Sequence, residues 1–241
     1  MVQAVLQLEG IASLSQNVAL AWATDVNGTG SRVFGSVAQS EKIVGRGQLV
    51  LDGLWSEDQQ GSIDVVTLEK GISLMSVTGL VVPERMAALA VALVELFQQQ
   101  NIATLSLVAS LNVSQKGSVL YAGINNEKVP LPHLDTSLPL NDRFLGALVP
   151  SLHCTSINTT LIAIPTKKER HAENGRLLQG MNSNSVDLGL VPLLNAAQNH
   201  LGIQFDAEKA LNLLLPHVAV MRAKEDANLI DKKDDLLLMY L

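Results

Sequence analysis

Cysteine and aromatic residues are the scarcest components of this chain. Its 241 residues include a single cysteine, Cys154, and only 3% of them are Phe, Trp or Tyr. One cysteine excludes an intramolecular disulfide and any zinc site built from several cysteines, a pattern typical of reducing compartments. The apolar fraction of 47% is enough for a sizeable core. Because so few residues are aromatic, this core must be built from Leu, Val, Ile and Ala, as in parallel strands covered by helices. The composition favours an α/β fold.

The chain also lacks an excess of positive charge and long apolar runs. The formal net charge is −6 and the pI is about 5.3, so nucleic acids and anionic membranes have little electrostatic attraction for the chain. The most apolar stretch, Ala87 to Phe97, is too short to span a bilayer, and no basic segment precedes an apolar run at the N-terminus. We expect a protein of the cytosol or nucleus that binds neither nucleic acid nor membranes.

Patterns typical of catalysis, cofactors or metals are also lacking. Ser151, His153 and Cys154 are near neighbours in the chain, and such neighbours rarely form a nucleophile–base pair because their side chains point in different directions. The five histidines show no metal-ligand spacing. The glycines at 27–31 and 45–47 lack the third glycine or the Lys-Ser/Thr of phosphate loops and are best explained as turn glycines. We expect no catalytic, cofactor or metal site.

Short β-prone runs separated by glycine fill the first third of the chain. These runs are rich in Val, Leu, Ile and Thr, which favour strands. The predicted strands are Val18–Ala23, Arg32–Val37, Gly47–Leu54, Ser62–Leu68 and Ile72–Thr78. A sheet of several strands is therefore expected before residue 80.

A helix and a strand follow directly. Pro83 suits a first helical turn, and apolar residues then recur at helical spacing until about Asn101. Ala103–Leu111 is an apolar, β-prone run. Together these two elements predict half of a crossover unit in a covered sheet.

The middle of the chain predicts a long loop, a short helix and another strand. Residues 123–138 contain two prolines and an Asn-Asn pair, which indicates a surface loop of a length that is often functional. Asn141 is expected to cap a helix over Asp142–Leu148 that Pro150 stops. Thr159–Ile164 is the next buried-strand candidate.

Two helices are predicted near the end, followed by a tail. The first covers about Leu188–His200 and ends at Gly202; the second covers about Ala207–Met221 after Asp206. From Lys224 the chain is mostly charged and then ends in an apolar run. We therefore predict one α/β domain over residues 1–223, with a mostly parallel or mixed sheet covered by helices, and a flexible tail over residues 224–241.

The tail ends in Met239, Tyr240 and Leu241. A chain terminus places a carboxylate at a defined position, and the preceding tyrosine adds a rigid ring with a hydroxyl, which suits capture in a pocket of a partner. Burying Met239 and part of Tyr240 contributes about 3–5 kcal/mol, and a carboxylate–lysine contact about 1.5–3, against ordering costs of about 1–2 kcal/mol per residue. The tail alone should bind weakly, so further contacts are needed.

Three features together resemble the proteasome assembly chaperone family, particularly the one-type subunit of the eukaryotic heterodimer and its archaeal relatives. One is the helix and strand from residue 82 to residue 111, followed by residues 140–148. Another is the helix with Leu190, Leu193 and Leu194 that runs into residues 201–203. The last is the hydrophobic-Tyr-any terminus, residues 239–241. The resemblance covers roughly residues 60–241 as a pattern.

The resemblance implies a non-enzymatic function. It implies that Met239, Tyr240 and Leu241 insert between adjacent subunits of the proteasome α-ring, with the terminal carboxylate meeting a pocket lysine. It further implies a heterodimer with a second assembly chaperone subunit, help in α-ring assembly and protection of the outer face of the ring. Residues before about 60 match nothing in the family pattern.

Two other classes of function remain open on the residues alone. A covered sheet also suits a small-molecule enzyme, such as a nucleoside phosphorylase-like or hydrolase fold, which predicts a polar cleft at the carboxyl ends of the strands. A scaffold protein whose tail binds a peptide-recognition domain predicts micromolar binding by the free tail peptide.

Overall fold

The fold is built around one β-sheet. The computed structural model describes residues 6–22, 41–51, 62–78, 81, 83–111, 119–126, 128–135, 142–165 and 193–206. Within these residues eight strands form a single sheet. They are β1 (Leu6–Glu9), β2 (Asn17–Trp22), β3 (Ile43–Leu51), β4 (Ser62–Leu68), β5 (Ile72–Thr78), β6 (Thr104–Leu111), β7 (Leu120–Ile124) and β8 (Asn158–Pro165).

The sheet is mixed, with a parallel centre. Its strand order is β1-β3-β4-β5-β2-β6-β8-β7. The four strands β5, β2, β6 and β8 run parallel, whereas β1, β3 and β4 on one side and β7 on the other join through antiparallel pairs. The predicted mostly parallel or mixed sheet is confirmed. β5 and β6 lie on either side of β2 and run in the same direction. The segment that links them must therefore cross over β2, as connections between parallel strands do.

Helices cover both faces of this sheet. The helix α1 (Met86–Gln99) follows a 3₁₀ turn, Pro83–Arg85, and α2 (Arg143–His153) lies beside it. The apolar side chains of both helices share one core cluster with Val18 and Leu20 of β2. The third helix, α3 (residues 193–201), shares the opposite cluster with Ala19 and Ala21. Alternate residues of a strand point to opposite faces, so β2 is buried from both sides, and the predicted α/β fold is confirmed.

The apolar spacing of α1 explains its position. Leu89, Leu93, Leu96 and Phe97 are buried on one side of the helix, at the spacing of one helical face. Each such side chain stabilises the fold by about 1.5–3 kcal/mol on burial. The helix ends at Gln99, and Asn101 takes a φ of 54° before β6 starts. The predicted helix and its following strand are confirmed.

The predicted helix stop at Pro150 is wrong. The helix α2 continues through Pro150 to His153, and its N-cap is Asp142, whose carboxylate accepts a 2.7 Å hydrogen bond from the Leu145 N–H. Asn141 lies outside the described residues. Proline removes one backbone hydrogen bond, but Leu148 and Leu152 on either side of it are completely buried, and this packing outweighs the loss.

The glycine pair at 45–47 also differs from its prediction. Both glycines lie inside β3 rather than in a turn. A Cβ on Gly47 would collide with the backbone carbonyl oxygen of Glu9 in β1, so this glycine allows the edge strand to approach. The predicted strand Arg32–Val37, the helix Ala207–Met221 and the tail from residue 224 lie outside the described residues.

Candidate functional site

The residues predicted to bind a partner, Met239, Tyr240 and Leu241, lie outside the described residues. Their role therefore stays a prediction from sequence. The described part of the chain offers two other places where a site could form, one at each end of the parallel strands.

The carboxyl end of β2, at the centre of the sheet, lies at an aromatic cluster. Trp22, the last residue of β2, stacks on Phe144 of α2 with ring centroids 3.9 Å apart and an interplanar angle of 28°. The Trp22 indole N–H donates a 3.1 Å hydrogen bond to the Asp142 carboxylate, which also caps α2. Trp22 is 5% exposed and Phe144 is completely buried. The cluster therefore joins β2 to α2 and offers no open surface.

The edge beyond this cluster is where α/β folds commonly bind ligands. The segments that follow β2, β6 and β8, residues 23–40, 112–118 and 166–192, all lie outside the described residues. The cleft that a small-molecule enzyme would need there is consequently not among the features that the structure describes.

A cavity of about 330 Å³ lies at the opposite edge, at the amino ends of the parallel strands. Asn17, Thr104 and Asn158, the first residues of β2, β6 and β8, line it. The Thr104 hydroxyl donates a 2.6 Å hydrogen bond to the Asn17 amide oxygen. Leu201 and His200, from the end of α3, form part of the wall. We call this space the amino-edge cavity.

Two buried hydroxyls also line the amino-edge cavity. Ser106 is 7% exposed and Thr160 is 4% exposed. The Asn126 amide donates a 3.2 Å hydrogen bond to the Thr160 hydroxyl oxygen. Partial burial lowers the pKa of His200, so its imidazole is neutral at pH 7. The lining is thus rich in neutral hydrogen-bonding groups.

An ion pair between half-exposed Lys70 and buried Glu41 lies beside this cavity, which Lys70 also lines. The Glu41 carboxylate, whose side chain is 3% exposed, lies 2.9 Å from the Lys70 ammonium. Lys70 also donates a 3.0 Å hydrogen bond to the Gly202 carbonyl, and the Gln204 N–H donates to Glu41 at 3.0 Å. The Lys70 hydrogen bond holds the pKa of Glu41 below its usual value, against the opposing effect of burial. The pair therefore fastens the end of α3 to the β4–β5 turn.

Replacing Lys70 with methionine is expected to lower the free energy of unfolding by about 1–2 kcal/mol at pH 7, because Glu41 stays buried without its cation. Half-exposure of Lys70 reduces this loss from the full cost of breaking a buried pair. A depressed carboxyl pKa adds stability above the unfolded-state pKa of about 4.3, and this contribution disappears as the pH falls through the folded-state pKa. Urea unfolding should therefore show the difference shrinking below about pH 4.

The control for this variant is Lys42→Met. Lys42 pairs with Glu69 at 2.6 Å on the surface, where the two side chains are 70% and 60% exposed, so little change is expected. Equal losses in the two variants, or a loss in Lys70→Met that does not depend on pH, would contradict the assignment.

The sequence candidates for nucleophilic catalysis lie on the last turn of α2. The Ser151 hydroxyl donates a 2.8 Å hydrogen bond to the Ala147 carbonyl, and His153 and Cys154 are exposed. Within the described residues no group of three or more His, Cys, Asp or Glu side chains is arranged to hold a metal. None of the described helices is long and apolar enough to cross a membrane.

The predicted middle loop begins later than expected. Strand β7 extends to Ile124, and the described residues from 125 to 135 have no regular secondary structure apart from one bridge between Tyr121 and His133. Asn125 fixes the loop to α2 because its amide donates to the carbonyls of Leu152, at 2.8 Å, and Thr155, at 3.0 Å. A binding role for the loop stays a prediction.

No protein-family model matches the chain, and no curated protein matches it by sequence. Solved structures do match. Pyrococcus furiosus PbaA, described as an archaeal homolog of proteasome-assembly chaperone, matches in its monoclinic form with a TM-score of 0.54 at 12% identity, over 99% of this chain and 100% of that chain. In a second structure of PbaA the TM-score is 0.58 at 11% identity, over 92% and 97%.

Two further proteins share the fold. Pyrococcus furiosus PbaB, described as an archaeal proteasome activator, has a TM-score of 0.58 at 10% identity, over 93% of this chain and 100% of that chain. A protein of unknown function from Thermoplasma acidophilum has a TM-score of 0.59 at 9% identity, over 91% of both chains. At such low identity the likeness establishes the fold that this chain shares with archaeal proteasome-assembly chaperone homologues.

Proposed function

We propose that this protein is a proteasome assembly chaperone. It binds the α-ring of the proteasome core through Met239, Tyr240 and Leu241, and acts in the cytosol or nucleus as a heterodimer with a second assembly chaperone subunit. Binding promotes α-ring assembly or protects the ring from premature partners. No catalytic step or cofactor is part of the proposal.

One observation is the main support for this proposal. The fold of this chain matches PbaA and PbaB over 92–99% of its length, with TM-scores of 0.54–0.58. Both proteins are described by their relation to the proteasome, one as a homolog of an assembly chaperone and the other as an activator. The likeness extends over nearly the whole chain, so it supports a shared use of the folded body.

The chemistry of the chain end supports the same proposal independently of the fold. A terminal carboxylate, an aromatic ring and an apolar side chain in Met239, Tyr240 and Leu241 suit a pocket with a lysine between two apolar walls. The segment from residue 224 onward, if extended, reaches about 60 Å at about 3.3 Å per residue. It can therefore bind a pocket while the folded body contacts a neighbouring surface, which raises the effective concentration of the tail.

Native-gel electrophoresis with purified proteasome core particles tests the proposal. The full chain, co-expressed with its stable partner subunit, is expected to migrate with the particles and with free α-rings. Bovine serum albumin, an acidic protein with no such tail, controls for nonspecific association. The proposal is abandoned if the full chain with its partner binds neither particles nor α-rings.

The free tail peptide separates this proposal from a scaffold function. Because the tail contributes only part of the binding energy, a synthetic peptide of residues 224–241 should bind α-rings far more weakly than the full chain. The small-molecule enzyme is not proposed, because the amino-edge cavity lies at the opposite end of the strands from the cleft that this hypothesis predicts.

A further inference from the structure

We infer that the amino-edge cavity is a binding site for a small neutral polyol, about the size of a monosaccharide. This inference is separate from the proposed function, because the cavity is lined by the folded body and none of its described lining residues belongs to the tail. At about 330 Å³ the cavity is near the lower end of the 300–1,000 Å³ typical of ligand pockets, which sets the size of the occupant.

The buried hydroxyl of Ser106 is the first observation. Ser106 is only 7% exposed and lines the cavity. Its side chain makes no hydrogen bond to any other described residue. A buried polar group without a partner is costly, so native structures usually supply one. The hydroxyl of a bound polyol would supply it, because such a group both donates and accepts.

The neighbouring groups extend the same chemistry. The Thr160 hydroxyl oxygen already accepts a hydrogen bond from Asn126, which leaves its O–H available to a ligand oxygen. Asn158 adds an exposed amide that can donate and accept. Ile72 and Leu201 are half-buried at the rim and can contact the C–H face of a sugar ring. Alternating polar and apolar contacts of this kind suit a polyol.

Charge argues against an anionic ligand. The ammonium of Lys70 is already neutralised by Glu41 at 2.9 Å and also donates to the Gly202 carbonyl. His200 is neutral at pH 7 because partial burial lowers its pKa. The carboxyl end of α3 (residues 193–201) lies at the cavity wall, and a helix carries partial negative charge at this end. Among the described lining residues, a phosphate or carboxylate would therefore meet no cation that lacks a partner.

Amide NMR titration of the full chain with D-ribose and myo-inositol tests the inference. Saturable shifts are expected at Ser106, Thr160 and Asn158. Ser106→Ala should raise the dissociation constant about tenfold, the effect of one hydrogen bond, while leaving the thermal midpoint unchanged, because the lost hydroxyl has no partner in the described structure. Asn158→Ala, at an exposed side chain, provides a second variant that should weaken binding.

Ser76→Ala is the matched control. Ser76 lies on β5, is 6% exposed, and is not among the residues that line the cavity, so its replacement should leave binding unchanged. The inference is overturned if neither polyol gives saturable shifts at tens of millimolar, which would mean that the cavity holds water only. It is also overturned if Ser106→Ala and Ser76→Ala have equal effects, or if ribose 5-phosphate binds more tightly than ribose.

Discussion

Deleting Met239, Tyr240 and Leu241 is expected to weaken binding to proteasome α-rings by about tenfold or more. In the proposed complex, burial of Met239 and part of Tyr240 would contribute about 3–5 kcal/mol and the terminal carboxylate about 1.5–3 kcal/mol. Ordering the three residues costs about 3–6 kcal/mol, which leaves a net loss of roughly 2 kcal/mol. Each 1.4 kcal/mol corresponds to a factor of ten in affinity, so this loss exceeds tenfold. The change is measured by titrating α-rings against the intact and truncated chains, each with the partner subunit.

The control keeps the length and the terminal residues but alters the apolar run before them. Replacing Leu236, Leu237 and Leu238 with serine should reduce binding much less than the deletion, because the proposed contacts belong to the last three residues. Adding a single glycine after Leu241 should reproduce most of the loss, since it moves the carboxylate. Unchanged affinity after the deletion would remove the tail from the mechanism and leave only the folded body as a binding surface.

The centre of the sheet could be predicted from sequence because its signals are local. Ser62–Leu68 and Ile72–Thr78 are both strands at their predicted bounds. Gly71 lies between them with a φ of 76°, which glycine tolerates without strain. The predicted strand at 159–164 and the helix before Asn101 were likewise identified by apolar runs and spacing. The fold class followed from these elements.

The two edge strands, β1 and β7, were missed because distant residues decide them. β1 has four residues and pairs with residues 48–51 of β3. The local sequence of β1 alone does not predict this pairing. β7 includes Gly123, which the sequence pattern places in the following loop. A Cβ at this position would collide with the Asn126 carbonyl oxygen, so the glycine serves a tight approach after the strand. Glycine alone does not distinguish these two uses.

The amino-edge cavity was also missed, although part of its signal was present. Asn17, Thr104 and Asn158 each precede an apolar run, and the parallel arrangement of β2, β6 and β8 brings them to one edge. The order of the strands cannot be deduced from one sequence. The ion pair of Glu41 and Lys70 was hidden for the same reason, since these residues approach only through the sheet and α3. The hydrophobic-Tyr-any terminus, in contrast, is visible in sequence alone.

Replacing Phe144 with alanine is expected to lower the free energy of unfolding by about 3–5 kcal/mol. The ring is completely buried and stacks on Trp22 at 3.9 Å, so its removal leaves a cavity and breaks the aromatic pair. Urea unfolding followed by Trp fluorescence measures the loss. Phe144→Leu, which refills most of the volume, should lose less than half as much.

The same variant separates stability from binding. Phe144 lies in the core between β2 and α2, whereas the proposed α-ring contacts lie at the chain end, so Phe144→Ala protein should still bind α-rings at a low temperature where it remains folded. Its binding should fail only on heating, at the temperature at which it unfolds. Loss of binding while the variant is still folded would mean that the body near Trp22 and Phe144 contacts the ring directly. The tail deletion is expected to weaken binding without unfolding the chain, so the two changes together test whether the anchor and the platform lie in different parts of the molecule.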